Sequence, residues 1–175
     1  MPSTIVDVQM TVGDVMIRPA TAADAGGIRE IRNDAILTST AIWTGITQSM
    51  SEAAAWVDEH LERDSMVVAE CDGFVLGYGC WAPWRAKEGY RFTAEDSVYL
   101  ADGHRGRGIG ALLLNAVIAS ARAAGMHTMI ADIEAGNLAS IALHQRLGFE
   151  TIGTVKQAGT KFDRWLDLTI LQLML

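Results

Sequence analysis

The sequence predicts a mixed α/β domain, of the α+β kind, built on a mainly antiparallel sheet. Three observations carry this. Apolar periods of two and of about 3.6 residues alternate along the chain, so strands and helices are interleaved. Asp72-Gly73 stands between two strand-like runs and marks a tight hairpin. Residues 95–110, EDSVYLADGHRGRGIG, run straight into an apolar stretch at 111–124, which gives the order strand, glycine turn, helix.

Taken in order, residues 1–13 show no clear period and read as a loose extension or an extra edge strand. The domain is placed at 16–175, with 1–15 as an N-terminal extension. Residues 16–20 form a first strand, stopped by Pro19. Thr21 with Asp24 is an acidic variant of the capping box. The helix it opens carries Ile28, Ile31, Ala35 and Ile36 on one face. Residues 38–48 are too polar for a core helix and too apolar for a plain linker, which suits a loop over a site. Ser49-Met50-Ser51-Glu52 is a capping box for a helix to about Arg63, with Trp56, Val57, His60 and Leu61 as its buried stripe.

Residues 66–70 and 74–81 are the two strands of the Asp72-Gly73 hairpin. Gly77 and Gly79 weaken the second and imply a bulge or a close approach there. A polar and aromatic loop covers 82–92. The strand at 95–100, the glycine turn and the long helix follow, with Gly125 as a C-terminal cap. Residues 128–133 form a strand, and Asn137 opens a helix to about Leu147, closed by Gly148. A strand at 151–155, a loop rich in Gly and Lys, and a strand at 165–173 complete the chain.

Totals exclude several functions. With 175 residues, half of them hydrophobic, the chain fits one domain with a sizeable core. A net charge of −7 without blocks of one sign argues against nucleic acid as a partner. No apolar run reaches membrane-spanning length and no leader pattern stands at the N-terminus, so no membrane partner is expected and a cytoplasmic location is. Cys71 and Cys80 fall about 20 Å apart along the hairpin, beyond the ~7 Å a disulfide allows, so both are expected as free thiols. Four scattered histidines form no ligand pair, and no metal is expected.

Chemistry centres on Arg105-Gly106-Arg107-Gly108-Ile109-Gly110. Backbone N–H groups and a helix N-terminus converge there, which suits a phosphate. The glycine spacing is not the dinucleotide fingerprint, and the Walker string is absent. Instead, R-x-x-G-x-G resembles the pyrophosphate signature of the GCN5-related N-acetyltransferases, which use acetyl-coenzyme A. The segment 137–149, NLASIALHQRLGF, is similar to that superfamily's N-x-x-A-x-x-x-Y-x-x-x-G-F, with Ser140 in place of alanine and His144 in place of tyrosine. There the asparagine contacts the cofactor and the tyrosine protonates the leaving thiolate. Histidine can still donate a proton near neutral pH. Asn137 also reads as a plain helix cap, and His144 as a core histidine.

Three further strings, TAEDSVYL at 93–100, ASIALH at 139–144 and GTKFDRWLD at 159–167, resemble the phosphinothricin and methionine sulfone (sulfoximine) N-acetyltransferases. Ala94 and Leu100, each where that family has valine, are mild departures. The likeness spans roughly residues 16–175. It implies the GNAT fold, acetyl-CoA as co-substrate, a small amine as acceptor and a homodimer. It also implies a cofactor site of Val98, Tyr99, Leu100, Arg105, Gly106, Arg107, Gly108, Ile109, Gly110, Ala111 and Asn137, with the backbone at 98–100 holding the thioester. The acceptor side is Arg85, Ala86, Lys87, Glu95, Asp96 and Ser97.

Those residues answer a chemical need. An ammonium cannot attack a thioester, so a carboxylate must remove its proton, and Glu95 stands just before the cofactor turn. Arg85 and Lys87 suit an α-carboxylate, Arg85 in bidentate fashion. Trp84, Tyr90 and Phe92 suit the wall of a side-chain pocket. His144 is expected as the acid at the thiol end. An acyl-cysteine route through Cys71 or Cys80 is disfavoured, because neither has a basic neighbour in sequence. The expected reaction is direct acetyl transfer to a small amino-acid-like amine. Transfer to a peptide N-terminus or a protein lysine, and a non-catalytic acyl-CoA sensor, are the alternatives.

Overall fold

The structure, a computed structural model, describes residues 10–175. Its elements in order are β1 (Met10–Val12), β2 (Val15–Pro19), α1 (Ala25–Thr38), α2 (Met50–Leu61), β3 (Met66–Cys71), β4 (Phe74–Pro83), β5 (Thr93–Leu100), α3 (Ile109–Ala123), β6 (Thr128–Glu134), α4 (Leu138–Arg146), β7 (Glu150–Lys161) and β8 (Arg164–Met174). The strands form one sheet in the order β1-β2-β3-β4-β5-β6-β8-β7. The expected mixed α/β class with a mainly antiparallel sheet holds.

One pair departs from the antiparallel rule, and it positions the site. β5 and β6 are parallel and pair only where Thr93–Glu95 meets Thr128–Ile130. Beyond that short ladder the sheet parts between the two strands. Ala101, just past the end of β5, donates its N–H to the Leu76 carbonyl of β4. By strand alternation the N–H groups of Val98 and Leu100 point the other way, into the gap.

Each face of the sheet carries its own core. On one, Leu113, Leu114, Val117 and Ile118 of α3 pack with Val67, Ala69 and Met129. On the other, Ile28 and Ile31 of α1 and Val57 of α2 pack with Met66, Val68 and Tyr78. The glycines of β4 allow α3 to approach: a Cβ on Gly79 would lie 2.8 Å from Val117 Cγ2, and one on Gly77 would lie 2.8 Å from the Tyr99 carbonyl oxygen. The sequence left a bulge or a close approach open there. The close approach is what Gly77 and Gly79 provide, and a register shift falls opposite Gly77, at Ala69/Glu70.

Boundaries move at three places. Met10–Val12 pairs with β2 across Gly13, which has φ +58°, so these residues take the edge-strand reading. Residues 1–9 of the expected extension lie outside the described residues. α2 is capped by Ser49 and Glu52 as expected, but its buried stripe is Ala53, Val57 and His60, with Trp56 and Leu61 only half-buried. The expected Gly/Lys loop after Val155 is instead strand: β7 runs on through Gly159 to Lys161. The turn is only Phe162-Asp163, with φ of 51° and 56°, the left-handed pair whose twist matches a hairpin. Cys71 and Cys80 are free, at opposite ends of the β3–β4 ladder.

Candidate active site

β5 supplies the site by simple alternation. Its Val98 and Leu100 side chains join the α3 core, and its Tyr99 side chain joins the α1–α2 core. Glu95 and Ser97 share the side of Tyr99. Where β6 parts from β5, a cavity of about 270 Å³ opens, lined by Glu95, Asp96, Ser97, Val98 and Tyr99 together with Asn137 and His144. Seven residues singled out from sequence thus meet at one place.

Glu95 is the titratable centre of that cavity. Burial, then the charges of Asp132 and Asp96, push its carboxyl up to about 7. Near neutral pH it therefore exchanges a proton readily, which a general base requires. The cysteines have no such preparation. Burial pushes the Cys80 thiol up to about 12, and the Cys71 thiol is also raised, by burial and by Asp72.

His144 is fully enclosed by the α4–β5 contact. Its Nδ1 lies 2.8 Å from the Ser140 carbonyl oxygen, which only accepts, so Nδ1 carries a hydrogen. Its Nε2 lies 3.0 Å from Asp96 Oδ2. Burial alone would lower the ring's pKa. The hydrogen bond and charge of Asp96, with the Ser140 carbonyl, outweigh it and raise the pKa above the ordinary value. A second ring proton, the one an acid needs, is therefore favoured by Asp96. The Nε2 proton points at Asp96, so release requires that bond to lengthen. Asp96 Oδ1 is buried without a partner. Asn137 is the N-cap of α4, accepting from the Ser140 N–H at 3.2 Å, and it also lines the cavity.

The glycine turn lies at the α3 end of the same gap. Gly106 and Gly108 have φ of 74° and 83°, and nothing stands within 4 Å of where their Cβ atoms would be. Gly108 is the N-cap of the 15-residue α3, with no side chain capping it. The N–H groups of Ile109 and Gly110, the first of α3, are thus left without a side-chain cap, with Arg105, Arg107 and Ala111 beside them in sequence. At Gly110 a Cβ would meet Leu143 at 3.4 Å and Leu100 at 3.8 Å. The cradle and the N–H groups of Val98 and Leu100, which face the gap beyond the β5–β6 ladder, fit a phosphate-bearing thioester.

Arg85, Ala86 and Lys87 do not line the cavity. Arg85 lies over the rings of Trp84, at 4.0 Å, and Tyr90, at 5.5 Å. Its charge reaches Asp132 on the cavity wall, where it opposes the rise that burial causes. It therefore stands at the rim.

Sequence reasoning missed three groups. Arg32 of α1 and Asp132 and Glu134 of β6 line the cavity. So do Ala41, Ile42 and Trp43 of the segment expected to lie over a site. Lys161 holds that segment down: its Nζ donates to the carbonyls of Ser39 and Ile42, both at 2.6 Å. The Trp43 ring lies so close to Gly159 that a Cβ there would collide with it. Arg32 had one legible signal, since it sits at i+4 from Ile28 and i−4 from Ile36, inside an otherwise apolar stripe.

A split sheet with a glycine cradle at the gap and a titratable carboxyl in the cavity beside it suits an acyltransferase that draws on a phosphate-bearing thioester. Comparison with known proteins agrees. The profile of the acetyltransferase (GNAT) family matches residues 29–149, and the chain belongs to that family. It is 48% identical over 161 residues to the L-methionine sulfoximine/L-methionine sulfone acetyltransferase of Pseudomonas paraeruginosa, covering 91% of this chain and 94% of that one. It is 37% identical over 157 residues to the phosphinothricin N-acetyltransferase of Streptomyces viridochromogenes, covering 88% and 84%. An acetyltransferase structure from Salmonella typhimurium with its cofactor acetyl-CoA superposes with a TM-score of 0.89 at 42% identity, covering 91% of this chain and 93% of that one. The protein is an acetyl-CoA-dependent acetyltransferase.

Proposed function

We propose that the protein transfers the acetyl group of acetyl-CoA to the α-amine of a small amino acid or analogue, of the methionine sulfone, methionine sulfoximine or phosphinothricin kind. The observation that carries this is Glu95, half-buried in the cavity wall with its carboxyl pushed up to about 7. Two relatives whose names specify such substrates support it, at 48% and 37% identity. A cavity of about 270 Å³ suits an amino acid better than a peptide.

Acetyl-CoA supplies the acetyl group as a thioester. Arg105, Gly106, Arg107, Gly108, Ile109, Gly110 and Ala111 bind its pyrophosphate, and the N–H groups of Val98 and Leu100 orient its carbonyl oxygen. Tyr99 and Asn137 complete that side. Glu95 takes a proton from the substrate ammonium, directly or through water. Asp96 and Ser97 flank it, with Arg85, Ala86 and Lys87 at the rim toward the carboxylate. His144, whose pKa Asp96 raises, serves as the proton donor at the thiol end.

The same reading has a homodimer working in the cytoplasm. Among the described residues no helix is long and apolar enough to cross a membrane. Ile152, Val155 and Trp165 are exposed on the β7–β8 hairpin, an apolar surface suited to a second copy.

Turnover of acetyl-CoA over a panel of amino acids, their sulfone, sulfoximine and phosphinate analogues, short peptides and lysine-bearing proteins tests the reading. The expected result is turnover confined to the free amino acids and analogues. Turnover confined to peptides or proteins would overturn it.

A further inference from the structure

Resting on that reading, we propose that Arg32 is a specificity-determining residue of the acceptor pocket: its guanidinium receives an anionic oxygen group of the substrate while Glu95 faces the ammonium. Arg32 is the only arginine or lysine among the cavity's described lining residues, against four carboxylates, Glu95, Asp96, Asp132 and Glu134. It forms no ion pair within the described residues. Its Nε is buried and has no hydrogen-bond partner. Its guanidinium lies 4.7 Å from the centre of the Trp56 ring, which fixes the plane of the fork.

The surroundings keep it in place. Ile28 and Ile36, one turn to either side, are fully buried. The next turns of α1 are tied to the end of the 39–48 segment: Arg29 Nε and Asn33 Nδ2 both donate to the Gln48 carbonyl, at 3.0 and 2.9 Å. A half-buried guanidinium without a counter-ion carries a desolvation cost that an entering anion would offset. Arg is also the side chain whose planar donors match a carboxylate or phosphinate. A pocket holding both a carboxylate base and a guanidinium without an ion-pair partner among the described residues is complementary to a zwitterion, not to a plain amine.

Two substrate groups could meet the fork, the α-carboxylate or an anionic side-chain head, and the test separates them. KM is measured for wild type and Arg32→Gln with methionine sulfone, its α-carboxamide and phosphinothricin, and acceptor affinity is read by calorimetry on the coenzyme A-loaded protein. The expected result is a KM and Kd raised roughly 10- to 100-fold for substrates bearing the recognised anion, with KM for acetyl-CoA unmoved. A penalty that disappears with the carboxamide assigns the fork to the α-carboxylate. A penalty present for phosphinothricin and absent for methionine sulfone assigns it to the side chain. Arg32→Met, which fills the same slot over Trp56, serves should the glutamine unsettle the pocket, and a melting temperature checks the fold of each. An equal penalty on all three acceptors, or none, overturns the role of Arg32 and leaves the acetylation reading standing. Wild type that neither binds nor acetylates any of them overturns both.

Discussion

Asp96 Oδ2 and His144 Nε2 lie 3.0 Å apart, and the two side chains are among the most enclosed polar groups of the protein. The pair joins β5 to α4 across the cavity. It sets the charge of His144, since its other nitrogen already donates to Ser140.

Removing the carboxylate should discharge the ring. In Asp96→Asn the His144 pKa should fall, with a loss of about 1–3 kcal/mol of stability at pH 6. The sign follows from the raised pKa of the folded ring. Its stabilisation is complete below the ordinary histidine pKa and fades as pH rises through the folded value. The destabilisation should therefore shrink by pH 9. Ring-proton titration by NMR and melts at both pH values measure it; an unmoved ring would show that Asp96 does not control it.

Glu95→Gln keeps the shape and removes the proton acceptor. The rate should drop 10²–10⁴-fold while coenzyme A affinity holds. Wild-type kcat/KM should rise along an acidic limb set by a group near 7. That limb should vanish in the variant. A surviving limb and near-normal rate would assign the base elsewhere.

The same carboxyl has a stability signature of opposite slope to that of an ordinary ion-paired acid. Its folded pKa lies above its unfolded one, so its contribution is intact below the ordinary glutamate pKa and is lost as pH rises through about 7. Glu95→Gln should therefore melt higher than wild type at pH 8 and not at pH 4.5. With solvent screening allowed for, the gain is about 1–2 kcal/mol. A gain at acid pH instead would contradict the half-buried, charge-averse site.

At the cradle, Gly108→Asp adds a side chain at φ +83° and a carboxylate where a pyrophosphate is expected. Calorimetry should show coenzyme A binding lost, with the fold retained. Unchanged affinity would remove the turn from the cofactor site.

Lys161→Met deletes both donors to the Ser39 and Ile42 carbonyls. The segment bearing Trp43 should loosen, raising KM for the acceptor about tenfold and leaving that for acetyl-CoA unchanged. Limited proteolysis should cut residues 39–48 faster. Equal cutting would show that the clamp is not what holds them.

What could be read from sequence was local. The cradle was legible because left-handed glycines and a helix start lie within a few residues of one another. Glu95 was legible because strand alternation and the turn place it. The second half of β7 was not, because Gly159 and Lys161 look like loop residues until Trp43 is seen to fill the space above the glycine. Arg32 and Lys161 escaped for a related reason. Their partners, Trp56 and the 39–42 carbonyls, lie on other elements, up to 122 residues away. For the loop at 82–92 the sequence could not give the placement: Arg85 lies over Trp84 and Tyr90, outside the residues that line the cavity.

The Lys161 clamp bears on how the chain matures during synthesis. Residues 39–43 emerge early, yet the side chain that fixes them is made 122 residues after Ser39. The glycine that receives Trp43 also comes from the last hairpin. A nascent chain with α1 to β5 already folded would still have an unfinished acceptor pocket until the C-terminus leaves the ribosome. Such long-range closure is entropically late. A chain cut short before β7 would lack β8 as well, and with it the partner strand of β6, the buried Leu171 and the clamp on the acceptor pocket, so premature termination should yield inert protein, not a leaky enzyme.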